Sequence, residues 1–237
     1  MHRLLEGAAL VAFDLDGTLI DSVPDLALAV DAALAELGLP TAGEARVRDW
    51  VGNGSLKLME RALCHVAYAG TGEADPATAL RGGSPAIDSD LLERAHQAFL
   101  AHYGRDPGAH TRLYPGVRKA LDGLRARGLP LALVTNKPHA FIAPLLEGLG
   151  LAEDFALCLG GDSLPEKKPH PAPLLHVAAH FGLAPERCLM VGDSRHDIAA
   201  GRAAGFRTLA VPYGYNHGEP VRESGPDAVV ESLAELV

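Results

Sequence analysis

Cysteine is scarce in this chain of 237 residues, which has three at widely separated positions: Cys64, Cys158 and Cys188. An odd and dispersed set provides neither a disulfide framework nor the closely spaced ligands of a structural zinc site. A free cysteine usually behaves as a small buried hydrophobic residue. We therefore predict that all three are reduced and lie in the core.

Long apolar segments are missing as well. No run of apolar residues approaches the roughly 18 that a membrane-spanning helix needs. The first ten residues contain His2, Arg3 and Glu6, and they lack the apolar stretch of a secretion signal. The sequence therefore predicts a cytoplasmic protein without a membrane partner.

Basic residues are outnumbered: 21 Lys and Arg stand against 30 Asp and Glu, which gives a net charge of -9. Such a field repels polyphosphates and disfavours a nucleic-acid partner. It leaves open a small phosphorylated substrate, because one cation or metal ion in a cleft can offset a distant field. The 48% hydrophobic and 22% charged residues are otherwise ordinary for a globular protein.

Short apolar runs bounded by Gly, Pro, Asp or Asn predict five buried strands: Ala8–Phe13, Pro130–Thr135, Phe155–Leu159, Cys188–Val191 and Thr208–Val211. Helical periodicity lies between them at Gly116–Arg127, Pro171–Phe181 and Asp197–Ala204. This alternation predicts an α/β fold, a Rossmann-like, doubly wound parallel sheet with helices on both faces.

One segment breaks the alternation. Helical patterns at Ser22–Leu37, Ser55–Tyr68 and Asp90–Tyr103 follow one another with no strand between them. We therefore predict an inserted all-helical domain at residues 21–112, within an α/β core formed by residues 1–20 and 113–237.

The position of this insertion points to a role. Ligands of open parallel sheets bind beyond the carboxyl ends of the strands, and the insertion departs from that edge. It is well placed to act as a lid. Its segment 69–89, rich in Gly, Ala, Pro and Ser, is predicted to be a long exposed loop.

Polar residues that could react follow the predicted strands or open the next helix: Asp14, Asp16, Thr18, Thr135, Asn136, Lys168, Asp193 and Asp197. Several carboxylates at one sheet edge repel one another unless a hard cation lies among them, and oxygen ligands suit Mg²⁺. Lysine and threonine supply donors for phosphoryl oxygens. The set indicates phosphoryl transfer.

The order of these residues resembles a known family. Asp14-x-Asp16-Gly17-Thr18, Thr135-Asn136, Lys168-Pro169 and Gly192-Asp193-x-x-x-Asp197 are similar to the four motifs of the haloacid dehalogenase superfamily, and the insertion resembles its C1-type cap. Longer phrases resemble the bacterial phosphoglycolate phosphatases: Trp50–Gly54, Leu133–Pro138, Gly160–Asp162, Lys167–Pro171 and Tyr213–Glu219. The segment 69–89 departs from the family by being longer.

The resemblance implies a mechanism. Asp14 is expected to attack phosphorus and form an aspartyl phosphate, while Asp16 donates a proton to the leaving alkoxide and later takes one from water. Thr135 and Lys168 are expected to hold the transferring phosphoryl group. The resemblance implies that Mg²⁺ is held by the Asp14 carboxylate, the Asp16 backbone carbonyl and Asp193. Asp197 is expected to be a further ligand or to orient the other ligands.

The resemblance also implies 2-phosphoglycolate as the substrate. Thr18 and Asn136 are interpreted either as substrate contacts or as turn residues. In the insertion, Asn53 and Gly54 are expected to face the active site, with Arg48 nearby to meet a substrate carboxylate. The other interpretation of Arg48 is a residue on a solvated helix face.

Other functions share parts of this pattern. A sugar phosphate phosphatase or a β-phosphoglucomutase-like enzyme would share the cap and all four motifs. A 2-haloacid dehalogenase has no comparable use for Asp16, and a phosphonatase would need a cap lysine, for which Lys57 is available. A phospho-Asp receiver, a binding switch, carries its acceptor after a middle strand and has no insertion. The sequence leaves open whether the protein is a monomer or a homodimer.

Overall fold

The computed structural model describes residues 2–69 and 87–237. This part of the chain contains eight short strands: β1 (Leu10–Phe13), β2 (Ile20–Asp21), β3 (Arg112–Leu113), β4 (Leu131–Val134), β5 (Leu157–Leu159), β6 (Cys188–Gly192), β7 (Arg207–Ala210) and β8 (Ala228–Val229). Six of them form one parallel sheet in the order β5-β4-β1-β6-β7-β8, while β2 and β3 pair separately and antiparallel. The predicted parallel sheet is confirmed.

Eight α-helices lie in the same described ranges: α1 (Val23–Glu36), α2 (Glu44–Trp50), α3 (Ser55–Ala69), α4 (Ser89–Tyr103), α5 (Val117–Arg125), α6 (Ile142–Gly148), α7 (Ala172–His180) and α8 (Arg195–Ala204). The five predicted strands are confirmed with ends displaced by two residues at most. The helices α2 and α6 were not predicted, because seven residues are too few to show helical periodicity.

Side chains of the sheet alternate between two cores. In β1, Val11 and Phe13 face a core that also contains Leu121 of α5. Leu10 and Ala12 face the opposite core, which includes Val177 of α7. Successive side chains of a strand point to opposite faces, so both faces of β1 are covered by helices. The doubly wound arrangement is thereby confirmed.

The strand order reverses at β1. The chain runs from β1 to β4 and β5 on one side, then crosses over and continues with β6, β7 and β8 on the other. Phe13 of β1 is level with Leu133 of β4 and Val191 of β6. In open α/β sheets, ligands bind at such a reversal, beyond the carboxyl ends of the strands. This geometry directs attention to the residues that directly follow β1, β4 and β6.

The insertion has a core of its own. The helices α1 to α4 surround buried side chains that include Val30, Met59 and Phe99. At its two ends, Ile20 of β2 pairs with Leu113 of β3, and Asp21 pairs with Arg112. The chain therefore leaves the α/β core and returns to it through adjacent strands.

Asp25 ties the start of the insertion to its end. Its buried carboxylate accepts hydrogen bonds from the backbone N–H (2.7 Å) and hydroxyl (2.6 Å) of Thr111. The loop predicted at 69–89 falls mostly on residues 70–86, which lie outside the described residues. Its last predicted residue, Ser89, belongs to α4 instead.

As predicted, the three cysteines are thiols that form no disulfide with one another. Cys64 and Cys188 are buried, but Cys158 is half-buried, because it lies on the edge strand β5. Within the described ranges, the helices are too short or too polar for a membrane span.

Candidate active site

Three adjacent strands deliver polar side chains to the same edge of the sheet. Asp14 follows β1, Thr135 follows β4 and Asp193 follows β6. The backbone N–H of Asp14 still donates to the Val191 carbonyl of β6 (2.9 Å), so the strand register continues to the first reactive residue. The predicted gathering at this edge is present.

Three buried carboxylates form a cluster there. Asp14, Asp193 and Asp197 are 8%, 2% and 0% exposed, and each offers an oxygen within 4.8 Å of the others. Burial raises the pKa of Asp14 to about 7, with Asp197 adding to the rise and Lys168 opposing it. Burial, followed by the charges of Asp197 and Asp14, raises the pKa of Asp193 well above its usual value. An all-oxygen cluster that is this costly to ionise fits a hard divalent cation.

The Asp193 carboxylate is held on both sides. The Thr18 hydroxyl donates to Oδ1 (2.7 Å), and the Tyr215 backbone N–H donates to Oδ2 (2.6 Å). Gly17 leaves room for this carboxylate, because a Cβ at Gly17 would lie 2.3 Å from Asp193 Oδ2. Thr18 is fully buried, and its hydroxyl orients Asp193 rather than pointing to a substrate. Thr18 also lies in the turn after β1, where its backbone N–H donates to the Leu15 carbonyl (3.3 Å), so the structure adds a task to the turn interpretation.

Lys168 lies between two of the carboxylates. Its Nζ is 2.8 Å from Asp14 Oδ1 and 2.6 Å from Asp197 Oδ1. Burial alone would lower the pKa of Lys168, but these two carboxylates outweigh it and raise the pKa, so the ammonium is retained. The other oxygen of Asp197 accepts from the backbone N–H (3.0 Å) and hydroxyl (2.7 Å) of Ser194. Both Asp197 oxygens are engaged, which favours its predicted orienting role.

Asp16 is turned away from the three clustered carboxylates. Its carboxylate accepts from the Ser22 hydroxyl (2.5 Å) and from Lys137 Nζ (2.9 and 3.1 Å). Ser22 therefore serves Asp16 instead of capping α1, although the sequence predicts it only as the opener of that helix. Burial would lower the pKa of Lys137, but Asp16 and Tyr103 raise it, so this ammonium is also retained.

Sequence reasoning missed Lys137 as a site residue. The signal available was its position, directly after Asn136 at the same carboxyl edge of the sheet. Thr135, its neighbour, is 4% exposed and lines the cavity described below, and its Oγ1 accepts from the Lys137 backbone N–H (3.2 Å).

Asn136 connects the core to the insertion. Its Nδ2 donates to the Gly52 carbonyl (3.0 Å) in the loop between α2 and α3, and to the Lys168 carbonyl (2.9 Å). This fits neither a simple turn residue nor a substrate contact alone. The amide group holds the insertion loop against the site.

The insertion residues expected at the site lie in different places. Gly54 lines the cavity. Asn53 is not among its lining residues, and its carbonyl accepts from Lys167 Nζ (3.0 Å). Arg48 lies away from the lining as well: its guanidinium is 3.4 Å from Asp21 and stacks over the Tyr215 ring at 5.3 Å. The expectation that Arg48 meets a substrate carboxylate stays a prediction that this arrangement does not favour, because the Arg48 side chain lies against Asp21 and Tyr215 at the base of the insertion.

A small cavity of about 40 Å³ opens beside Asp14 and Asp16, between the core and the insertion. The insertion side of its wall is largely apolar and includes Leu26, Val51, Leu58 and Phe99. Among the described residues, Lys137 is the one cation in its lining. The core side of the cavity is thus polar, and the insertion side is largely apolar.

Comparison with known proteins agrees with this geometry. The profile of the haloacid dehalogenase-like hydrolases matches residues 8–205. This chain belongs to the haloacid dehalogenase-like hydrolases. The match spans the insertion and most of the α/β core, so it covers every residue of the candidate site described above except Tyr215.

Relatives of this hydrolase cover nearly its whole length. It is 45% identical over 233 residues to the phosphoglycolate phosphatase of Nitrosococcus oceani, covering 98% of this chain and 96% of that protein. It is 48% identical over 232 residues to the phosphoglycolate phosphatase of Escherichia coli, covering 96% and 90%. The crystal structure of a predicted phosphoglycolate phosphatase from Haemophilus somnus superposes with a TM-score of 0.87 at 39% identity, covering 97% and 96%. The hydrolase thus shares both sequence and fold with these proteins.

Proposed function

We propose that this hydrolase cleaves 2-phosphoglycolate to glycolate and inorganic phosphate in a Mg²⁺-dependent reaction. Two relatives at 45% and 48% identity are phosphoglycolate phosphatases. The observation that carries the proposal is the placement of Asp14 beside Lys168, at 2.8 Å, with Asp16 in the same cavity. A nucleophile, a phosphoryl-binding cation and a second carboxylate are thereby available to one bound ester.

In the first step, an Asp14 carboxylate oxygen attacks phosphorus. The bond from phosphorus to the ester oxygen breaks, its electron pair stays on that oxygen, and Asp16 supplies the proton that makes glycolate a neutral alcohol at this position. Lys168 and the Thr135 hydroxyl hold the oxygens of the transferring phosphoryl group, where charge builds up. The product of this step is an aspartyl phosphate.

In the second step, water attacks the phosphorus of the aspartyl phosphate. Asp16, now ionised, takes a proton from this water. The bond between phosphorus and the Asp14 oxygen breaks, which releases inorganic phosphate and restores the Asp14 carboxylate. Each step thus uses the same two side chains in opposite senses.

The buried carboxylates fit a magnesium ion. Asp14, Asp193 and the Asp16 backbone carbonyl would hold it, with Asp197 as a further ligand or as the orienter of Lys168. When bound, the ion would neutralise negative charge on the phosphoryl oxygens. Thr18 and the Tyr215 N–H keep the Asp193 carboxylate in position for this task.

We further propose that residues 21–112 act as a cap domain on a core formed by residues 1–20 and 113–237. The insertion supplies the apolar wall of the cavity, and Asn136 holds its loop through the Gly52 carbonyl. Closure of such a wall excludes water other than the attacking molecule. The cytoplasmic location stays a prediction, and the choice between monomer and homodimer stays open.

The apolar wall favours a small acid over a sugar phosphate. A sugar ring presents several hydroxyls, each of which needs a polar partner when buried. Leu26, Leu58 and Phe99 offer none, and on the insertion side of the described lining only the Ser55 and Tyr103 side chains carry hydroxyls, too few for a sugar ring. Net phosphate release without a bisphosphate activator would argue against a β-phosphoglucomutase-like enzyme.

The test is release of inorganic phosphate, with and without Mg²⁺, from 2-phosphoglycolate, sugar phosphates, nucleoside monophosphates and p-nitrophenyl phosphate. We expect 2-phosphoglycolate to lead in kcat/KM by at least about 100-fold, a difference of about 2.7 kcal/mol in transition-state stabilisation. Similar activity on all of these esters would support the phosphatase chemistry but contradict 2-phosphoglycolate as the specific substrate. Unchanged activity without divalent cations would remove the magnesium requirement.

A further inference from the structure

Lys137 is a buried ammonium to which the steps above assign no contact with the substrate. It is 5% exposed, and its Nζ lies 2.9 Å from Asp16 Oδ1 and 3.1 Å from Asp16 Oδ2. It also lines the cavity that contains Asp14 and Asp16. A buried charge needs an anion, and Asp16 is that partner; the position of Lys137 in the cavity wall also lets it meet a second anion that enters the cavity.

Tyr103, from α4 of the insertion, lies next to Lys137. The ammonium is 4.8 Å from the centre of the Tyr103 ring. The Tyr103 hydroxyl is buried and interacts with the Lys137 ammonium, but the described residues form no hydrogen bond of full geometry with it. A buried hydroxyl left in this way costs free energy unless a bound group takes it up. Both side chains line the same cavity, so one ligand could meet both.

The Tyr103 ring is held firmly in place. It stacks on Phe99 at 5.6 Å with an interplanar angle of 7°, and it meets the edge of Phe141 at 5.0 Å and 86°. A fixed ring presents its hydroxyl in one position, which lowers the entropic cost of binding. The pair of Lys137 and Tyr103 is therefore preorganised.

The position of Lys137 relative to Asp16 indicates what it binds. Asp16 is the residue expected beside the ester oxygen of the substrate. In a phosphorylated 2-hydroxy acid, the carboxylate is attached to the same carbon as that oxygen. A cation in contact with Asp16 therefore lies beside the carboxylate, whereas an ester of a neutral alcohol places only carbon or hydroxyl there.

We propose that Lys137, together with the Tyr103 hydroxyl, binds the substrate carboxylate and selects phosphorylated 2-hydroxy acids over phosphate esters of neutral alcohols. This inference rests on the proposed function and deepens it. It moves the carboxylate contact from Arg48, which the structure places outside the cavity lining, to the cation that lines it.

The test compares two substrates on three forms of the enzyme. Ethyl phosphate has a methyl group where 2-phosphoglycolate has its carboxylate, so the ratio of their kcat/KM values measures recognition of that group. Lys137→Gln should lower this ratio roughly 10- to 100-fold, the effect of a charge-assisted hydrogen bond. Loss of the contact with Asp16 would slow both substrates equally and would cancel in the ratio. Lys119→Gln, on the exposed face of α5, removes the same charge and should leave the ratio unchanged.

Tyr103→Phe is the second variant, because it removes the hydroxyl and retains the packed ring. We expect the ratio to fall about 3- to 10-fold, mainly through a higher KM for 2-phosphoglycolate. If Lys137→Gln fails to fold, as judged by circular dichroism, the ratio in Tyr103→Phe decides, and an unchanged ratio overturns the inference.

The two proposals fail in different ways. If the unmodified enzyme does not prefer 2-phosphoglycolate to ethyl phosphate, the proposed substrate is wrong. If the enzyme has this preference and folded Lys137→Gln retains it, the substrate stands and the assignment of Lys137 is overturned.

Discussion

The two walls of the cavity are built in different ways. On the sheet side, charged side chains hold one another: Lys168 joins Asp14 to Asp197, and Thr18 holds Asp193. On the insertion side, the loop between α2 and α3 contributes backbone carbonyls. The Gly52 carbonyl accepts a hydrogen bond from Asn136 of the core, and the Asn53 carbonyl accepts one from Lys167. The insertion side chains that face the cavity are largely apolar.

This difference suggests that the sheet wall carries out the reaction, whereas the insertion wall contributes to substrate selection. The sheet wall is a network in which removing one member leaves another buried charge without its partner. The insertion wall shapes the cavity by packing, and it contacts the core through backbone carbonyls and through side chains such as Tyr103. We therefore expect changes in the carboxylate network of the sheet wall to impair turnover or metal binding. Changes on the insertion wall, and at Lys137 which contacts it, should alter substrate preference or affinity.

The largest effect should come from Asp14→Asn. An amide at this position is a poor nucleophile, so turnover should fall by at least about 10⁴-fold. Phosphate release measures the loss, and circular dichroism with thermal unfolding shows whether the fold is kept. Asp122→Asn, which changes an exposed carboxylate on α5, is the matched control and should remain active. Retained hydrolysis in Asp14→Asn would remove this residue from the nucleophile's role.

Thr18→Val sharpens the comparison within the sheet wall. Valine fills the same buried space but cannot donate to Asp193. Loss of a group that orients a metal ligand should raise the half-saturating Mg²⁺ concentration about 10- to 100-fold. Thr18→Ser keeps the hydroxyl and should stay near the unmodified value. A magnesium titration that does not move in Thr18→Val would show that this hydrogen bond does not serve the metal site.

Gly54→Ala tests the backbone contacts of the insertion wall. Gly54 has φ +86°, and a Cβ there would lie 3.0 Å from Lys167 Nζ and 3.2 Å from the Asn136 carbonyl. The loop must shift, so KM for the substrate should rise about 10-fold, with a smaller change in kcat. Gly38→Ala is the control, because Gly38 has φ +70° but open space around it.

Both glycine variants should lose about 1 kcal/mol of folding stability from the strained backbone. Thermal unfolding measures this shared loss, and steady-state kinetics measures the difference between them. Equal KM values in the two variants would mean that the loop position does not matter for binding.

The smallest effect should come from Arg48→Ala. The Arg48 side chain is 38% exposed, and it pairs with Asp21 at the base of the insertion rather than with the cavity. A partly exposed ion pair contributes at most about 1 kcal/mol to stability. We expect kcat/KM for 2-phosphoglycolate to change less than about 2-fold. A tenfold loss would restore Arg48 as the carboxylate contact and would contradict the role given to Lys137.

The sequence predicts the reactive edge because parallel strands all end on the same side. Asp14, Thr135 and Asp193 directly follow apolar runs of the sequence. Because each run forms a buried strand of four or five residues, the next side chain lies at the carboxyl edge of the sheet. The parallel sheet and the helical insertion follow from the same periodicities.

The partners of these residues could not be predicted in the same way. Thr18 donates to a carboxylate 175 residues later in the chain, and no local spacing encodes such a contact. Lys137 and Arg48 have long side chains that can turn in several directions. Only the packed structure shows that Lys137 enters the cavity and that Arg48 turns to Asp21.

The pairing of β2 with β3 has a consequence for how this protein can change. Because Asp21 and Arg112 are neighbours, the two covalent connections between the insertion and the core lie side by side. A short turn between these two residues would leave every connection of the parallel sheet as it is. We therefore expect that another helical module could replace the insertion and change the substrate, provided that it restores the contact that Ser22 makes with Asp16.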